Sequence, residues 1–160
     1  MFRIAFTALV CAGSTTLHAQ GAQVGFGAIR ADSSLPVEVT ADQLEVTQAD
    51  GTAVFTGNVL IGQGEMRLSA NRVQVDYAAD GNRIARLLAT GDVTVVNGPD
   101  AAAEADEADY SIDDGVIVLT GNVLMTQGPN ALSGERMVID LTTGSAQVDG
   151  RVRTILNPQR

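Results

Sequence analysis

The chain has no tryptophan and no lysine, one cysteine (Cys11), one histidine (His18), four prolines and only 4% aromatic residues. Each shortage closes a door. All ten basic residues are arginines, set against nineteen acids for a net charge of −9. A nucleic-acid binder needs a basic stripe, and there is none. Met1-Phe2-Arg3, an apolar run from Ile4 to Gly13 and the close Leu17-His18-Ala19 have the layout of a secretory signal peptide cut after Ala19. The run falls short of the ~20 residues that span a bilayer. Val10 stands before Cys11 where lipidation wants a small residue, so a lipoprotein is not expected.

Cleavage would leave 141 residues with a charge of −10, no cysteine and no histidine. That removes the Ser-His-Asp triad, the imidazole metal site, the thiol nucleophile, the disulfide and the usual structural zinc. A Ser-Lys pair has no lysine. Only carboxylate chemistry would remain, and no spacing suggests a recessed acid pair. The expectation is a non-enzymatic protein that needs no cofactor.

What the sequence has is repetition. Residues 50–76 match residues 114–140 at an offset of 64: Asp50-Gly51 on Asp114-Gly115, Thr56-Gly57-Asn58-Val59-Leu60 on Thr120-Gly121-Asn122-Val123-Leu124, Gln63-Gly64 on Gln127-Gly128. Weaker copies stand at Thr90-Gly91-Asp92-Val93 and Asp149-Gly150-Arg151-Val152, giving glycine spacings of 34, 30 and 29. A small residue and then a polar one precede each copy, read as Ala41-Asp42, Ala70-Asn71, Ala103-Glu104 and Gly134-Glu135. Repetition near thirty residues signals units that bury their apolar faces against neighbours.

Within a unit the period is two. Phe55, Gly57, Val59 and Ile61 alternate with Thr56, Asn58 and Leu60; Leu119, Gly121, Val123 and Met125 repeat the pattern. The return segments place Val73, Val75 and Tyr77, then Met137, Ile139 and Leu141, on one side. Turn signals such as Asp80-Gly81-Asn82 and Asn97-Gly98-Pro99-Asp100 separate the runs. This predicts an all-β, antiparallel domain of about a dozen short strands. A barrel, two facing sheets or a solenoid would each hide the apolar face. Its aliphatic lining suits a dry core or a hydrocarbon ligand equally.

Pro36-Val37-Glu38-Val39-Thr40-Ala41-Asp42, then Phe55-Thr56-Gly57-Asn58-Val59, Gln63-Gly64, Leu68-Ser69-Ala70-Asn71 and Val75-Asp76-Tyr77 resemble the OstA-like family, over about residues 35–156. The resemblance implies an open, twisted antiparallel β-jellyroll with an apolar interior. It implies a periplasmic carrier of lipopolysaccharide, with lipid A acyl chains inside and sugars outside. Such carriers stack end to end between an inner-membrane exporter and an outer-membrane translocon with related domains. The inner-membrane relative keeps a transmembrane helix and the outer-membrane relative adds a large barrel, so the free-standing periplasmic member is expected here. The domain division is then signal peptide 1–19, unstructured leader 20–34, jellyroll 35–157 and tail 158–160.

On this reading the acyl groove is lined by Val37, Val39, Phe55, Val59, Ile61, Met66, Leu68, Val73, Val75, Ile117, Leu119, Val123, Met125, Met137 and Ile139. In any sandwich the same residues are simply core. The Thr-Gly-Asn-Val copies read as bulges whose Asn caps the outer face, not as a binding motif. Glu104, Asp106, Glu107, Asp109, Asp113 and Asp114 lack calcium-loop spacing and read as a solvated face. Arg72 with Asp76 and Arg136 with Asp140 read as surface ion pairs worth little. The negative charge opposes an anionic lipid, but one twelve-carbon chain offers on the order of 9 kcal/mol on burial. The first strand, 37–46, and the last, 148–156, lack the lysines that blunt sheet edges, which predicts head-to-tail homo-oligomers. The rival reading is a structural β-solenoid that polymerises with a filled core and no lipid.

Overall fold

A computed structural model describes residues 23–24, 31–47 and 51–157; the expected signal peptide and tail lie outside the described residues. In chain order the strands are β1 (Gln23–Val24), β2 (Glu38–Thr40), β3 (Gln43–Thr47), β4 (Thr52–Gln63) and β5 (Met66–Tyr77). Then come β6 (Ile84–Asn97), β7 (Ala101–Ser111), β8 (Val116–Gln127), β9 (Asn130–Asp140), β10 (Ser145–Asp149) and β11 (Arg153–Ile155). All pair antiparallel in one sheet, mostly in sequence order, with β2 and β3 along one edge of β4 and β10 and β11 along the far edge of β9. No helix occurs among the described residues. The all-β expectation holds, but the strands are not short: β4 to β9 run 11–14 residues each.

These long strands are bent halfway. The register breaks at Thr56/Val59, Ser69/Arg72, Thr90/Val93, Glu104/Glu107 and Thr120/Val123, so the breaks line up across the sheet. On β4, β6 and β8 the bend is a glycine followed by a polar residue, both in the left-handed region: Gly57-Asn58 (φ 81, 44), Gly91-Asp92 (80, 49) and Gly121-Asn122 (80, 47). Gly150-Arg151 (78, 41) repeats it between β10 and β11. Two such residues turn the chain sharply, as Gly and Asn tolerate. On β5, β7 and β9 the bend is instead a slip of facing: Ala70 and Val73, Ala105 and Ala108, Leu132 and Met137 are buried on either side of Asn71-Arg72, Asp106-Glu107 and Glu135-Arg136.

Each bend is locked to its neighbour on the outer face. Asn58 Nδ2 donates to Asp42 (2.8 Å), Asn71 Nδ2 to Asp92 (3.0 Å), Asn122 Nδ2 to Asp106 (2.9 Å) and Arg151 Nε to Glu135 (3.0 Å). The outward Asn of the repeat thus has the capping role expected of it. The third small-polar step needs correcting: Ala105-Asp106, not Ala103-Glu104, stands opposite Gly121-Asn122.

The row of bends divides the sheet into two leaves. Leaf A holds β3, residues 52–56, 72–77, 84–90, 107–111, 116–120, 136–140 and β10. Leaf B holds β2, residues 59–63, 66–70, 93–97, 101–105, 123–127, 130–134 and β11. With no helix or second sheet among the described residues to cover it, the apolar face is buried against itself, leaf on leaf, in one continuous core. This is the expected open jellyroll: hinged along the bends, with a mouth along the opposite side.

The leader expectation gives way where residues are described. Gln23 and Val24 pair with Gln147 and Ala146 of β10. Ala31 packs on the core.

Candidate functional site

All fifteen residues expected to line a groove lie on the inner face. Twelve of them, from Val59 through Ile139, are at most 1% exposed; Phe55, Val37 and Val39, near the N-terminal edge, are half-buried. Side chains with no accessible surface border no space large enough for water. Without ligand, the interior is therefore a closed aliphatic core, and a guest would enter only by parting the leaves. The alternation also undercounts this face: Ala53, Ala89, Ala101, Ala103, Ala105, Ala108, Leu87, Val93, Val95 and Leu132 belong to it. The alanine-rich β7 lacked the large residues that mark a strand. Tyr77, expected inside, is 40% exposed at the end of its strand.

The interior reaches one edge uncovered. Leu44 and Val46 on β3 pair with inward-facing Phe55 and Ala53, yet are 56% and 58% exposed because no further strand among the described residues covers them. At the other end Val152, Ile155 and Leu156 are exposed.

Along the mouth a polar contact crosses between leaves. Tyr110 of leaf A donates its hydroxyl to Gln63 Oε1 of leaf B at 2.7 Å, and both residues are 1% exposed. Gln63 Nε2 donates outward to the carbonyls of Ser33 (3.1 Å) and Leu35 (3.0 Å), so every polar atom of this network has a partner. Gln63 recurred with Gln127 in the repeat, but nothing local tied it to Tyr110, 47 residues away. Beside them a recess of about 400 Å³ opens among Val37, Gln63, Arg83, Ile84, Ile112 and Asp113.

Burial pushes the Tyr110 hydroxyl up to about 12, because the phenolate cannot be solvated there. A folded-state pKa above the unfolded value of about 10 stabilises the fold below pH 10, and that contribution is lost as pH rises toward 12. Urea titrations across this range should show stability falling in the wild type and a shallower fall in Y110F.

The acidic residues lie outside. Arg86 holds Asp109 through two contacts, which raises the guanidinium pKa, and Arg83 pairs with Asp113. Ser111 binds Asp114 at 2.6 Å. The two expected arginine pairs form differently. Arg136 reaches Asp149 across the strands (3.8 Å) rather than Asp140, because a cross-strand neighbour lies closer than a residue four along a strand. Asp140 instead caps the β9–β10 turn through the Thr143 and Thr142 amides, which lower its pKa. Asp76 accepts from Gln74 Nε2 (2.8 Å).

Residues 38–145 match the family model described as LptA/(LptD N-terminal domain) LPS transport protein. An uncharacterised protein of Rhizobium meliloti (strain 1021) is 28% identical over 99% of this chain and 94% of its own length. The lipopolysaccharide export system protein LptA of Escherichia coli (strain K12) is 24% identical, over 83% of this chain and 77% of that protein. Among solved structures, LptH of Pseudomonas aeruginosa, described as the LptA-homologous periplasmic component of the lipopolysaccharide transport device, superposes with a TM-score of 0.73. It shares 21% identity over 80% of this chain and 99% of that one, a likeness of fold.

Proposed function

The chain belongs to the LptA/LptD N-terminal-domain family of LPS transport proteins, and from that premise we propose that it is a non-enzymatic periplasmic carrier that takes lipid A acyl chains between its leaves and stacks into a bridge between the two membranes. The observation that carries this reading is an aliphatic interior hinged along one side only. Strand backbone joins the leaves at the bends, whereas at the mouth they meet through side chains such as Tyr110 and Gln63. An acyl chain inserted there exchanges leaf-on-leaf contacts for chain-on-leaf contacts of the same chemistry, and each buried CH₂ contributes about 0.8 kcal/mol. Sugars and phosphates stay in water beyond the mouth.

The bends also supply a polarity for assembly. Strands with one polar corner residue (Asp42, Asn71, Asp106, Glu135) alternate with strands carrying glycine and a second left-handed residue. The N-terminal edge, β2 and β3, is of the first kind; the C-terminal edge, β10 and β11, is of the second. Only a C-terminal edge against an N-terminal edge continues the alternation. Charge agrees at the bend and on leaf B: Asp42 and Glu38 lie beside Arg151 and Arg153 in such a joint.

A photo-reactive phenylalanine analogue at Phe55 tests the carrier reading, since the substitution fits a half-buried aromatic site on the inner face. Crosslinking to lipopolysaccharide in cells is expected at 55 and not at the outward-facing Thr56. Equal labelling at both positions would sink the groove and favour the filled solenoid.

A further inference from the structure

We propose that residues 31–37 form a strap, latched by Gln63 and Tyr110, that gates sideways entry of an acyl chain through the mouth. The proposal rests on the carrier reading and adds the place and control of entry. The strap is shaped before it is latched. The Asp32 carboxylate accepts from the Ser34 amide (3.0 Å) and hydroxyl, and the Leu35 amide closes the turn on the Asp32 carbonyl (3.2 Å). Such an Asx-type turn presents the Ser33 and Leu35 carbonyls on one side, where the Gln63 amide takes both. The other end of the same amide accepts the Tyr110 hydroxyl from the opposite leaf. One side chain therefore ties leaf B to the strap and to leaf A at once.

This is also where the closure is easiest to undo. Deeper between the leaves, toward the bends, the contacts are aliphatic and water cannot replace them. A buried neutral hydrogen bond has a small net value, because water re-forms it when the groups are exposed. Opening at Gln63 and Tyr110 therefore costs less than opening at Leu119 or Met137. The recess beside the strap has an apolar floor of Val37, Ile84 and Ile112, with the Arg83–Asp113 pair at its rim. A hydrocarbon tail can rest there before the latch yields, while an anionic headgroup stays at the arginine.

The test uses the full chain with spin labels at Glu65 and Asn82, exposed residues on opposite lips, and stopped-flow mixing with lipid A carrying a fluorescent acyl chain. Y110F removes the inter-leaf hydrogen bond. The double variant Y110F/Q63L replaces both partners by apolar groups of similar shape, which preserves folding. Y110F is expected to broaden and lengthen the lip-to-lip distance without lipid. Both variants are expected to raise the association rate about tenfold, the double variant by freeing the strap from Gln63, and tenfold corresponds to about 1.4 kcal/mol. N122A removes a corner lock on the outer face, away from the mouth, and should leave the rate unchanged. Wild-type binding with unchanged distances and rates in both latch variants overturns the gate and leaves the carrier standing. Equal acceleration by N122A also overturns the gate, since general loosening would explain it. If no variant and no wild-type protein takes up lipid, the carrier reading fails and the gate with it.

Discussion

Replacing Gly121 by alanine lowers the unfolding free energy by about 2–3 kcal/mol, while the same change at Gly81 costs only about 1 kcal/mol. Both glycines have positive φ, +80 at Gly121 and +68 at Gly81, so both variants meet the left-handed penalty of an L-residue. They differ in surroundings. Nothing lies within 4 Å of a Cβ built on Gly81, which sits in the β5–β6 turn. A Cβ on Gly121 overlaps the Asp106 carboxylate, which must swing away and release Asn122. The difference between the variants therefore reports the corner lock rather than backbone strain. Urea midpoints of the two measure it. Equal losses would mean that the corner side chains contribute nothing, and the row of bends would rest on backbone preference alone.

Cysteines at Leu44 and Val148 are expected to crosslink two copies of the chain and never two copies of the same variant. Continuing the β4–β5 register, in which Thr56 faces Arg72 and Val59 faces Ala70, across a joint sets Val148 against Leu44 and Thr154 against Val39. Mixed under mild oxidant, L44C and V148C should give dimers; a chain with both should give a ladder of multimers. The one native cysteine, Cys11, lies in the expected signal peptide, so protein made without residues 1–19 gives a clean background. In the isolated chain Gln23 and Val24 occupy the positions opposite Gln147 and Ala146, so the joint displaces β1. Leu44 is 56% exposed and becomes covered in the joint. Burying it contributes roughly 1.5–3 kcal/mol, so L44D should weaken association at least about tenfold, and further for burying an unpaired carboxylate. Crosslinking of L44C to itself as readily as to V148C would overturn head-to-tail polarity.

Period-two alternation with regular turn signals was enough for an all-β antiparallel domain, because facing on a strand is a local property of successive residues. The repeat marked the bends for the same reason: Gly57-Asn58 and Gly121-Asn122 are rare pairs that only a sharp left-handed step requires. Locality also set the limit. Ala103-Glu104 and Ala105-Asp106 are equivalent steps to anyone reading along β7, and only pairing with β8 chooses between them. The slips at 71–72, 106–107 and 135–136 carry only the small-then-polar step, which marks Ala70-Asn71 and Gly134-Glu135 but is ambiguous on β7, since a non-glycine strand bends there to follow its glycine-bearing neighbour. Arg136 had two acids within reach, and strand pairing awarded it Asp149.

By itself, then, the amino-acid sequence determined which side chains face inward and where each glycine-bearing strand turns. Only the tertiary structure decided that the inner face closes on itself, that twelve of the fifteen expected lining residues are sealed, and that Tyr110 meets Gln63 across the mouth. The physical reason is range. Facing and bending follow from sterics within a few residues, whereas leaf-on-leaf contact joins residues dozens of positions apart, and their meeting depends on the summed twist and bend of every strand between them.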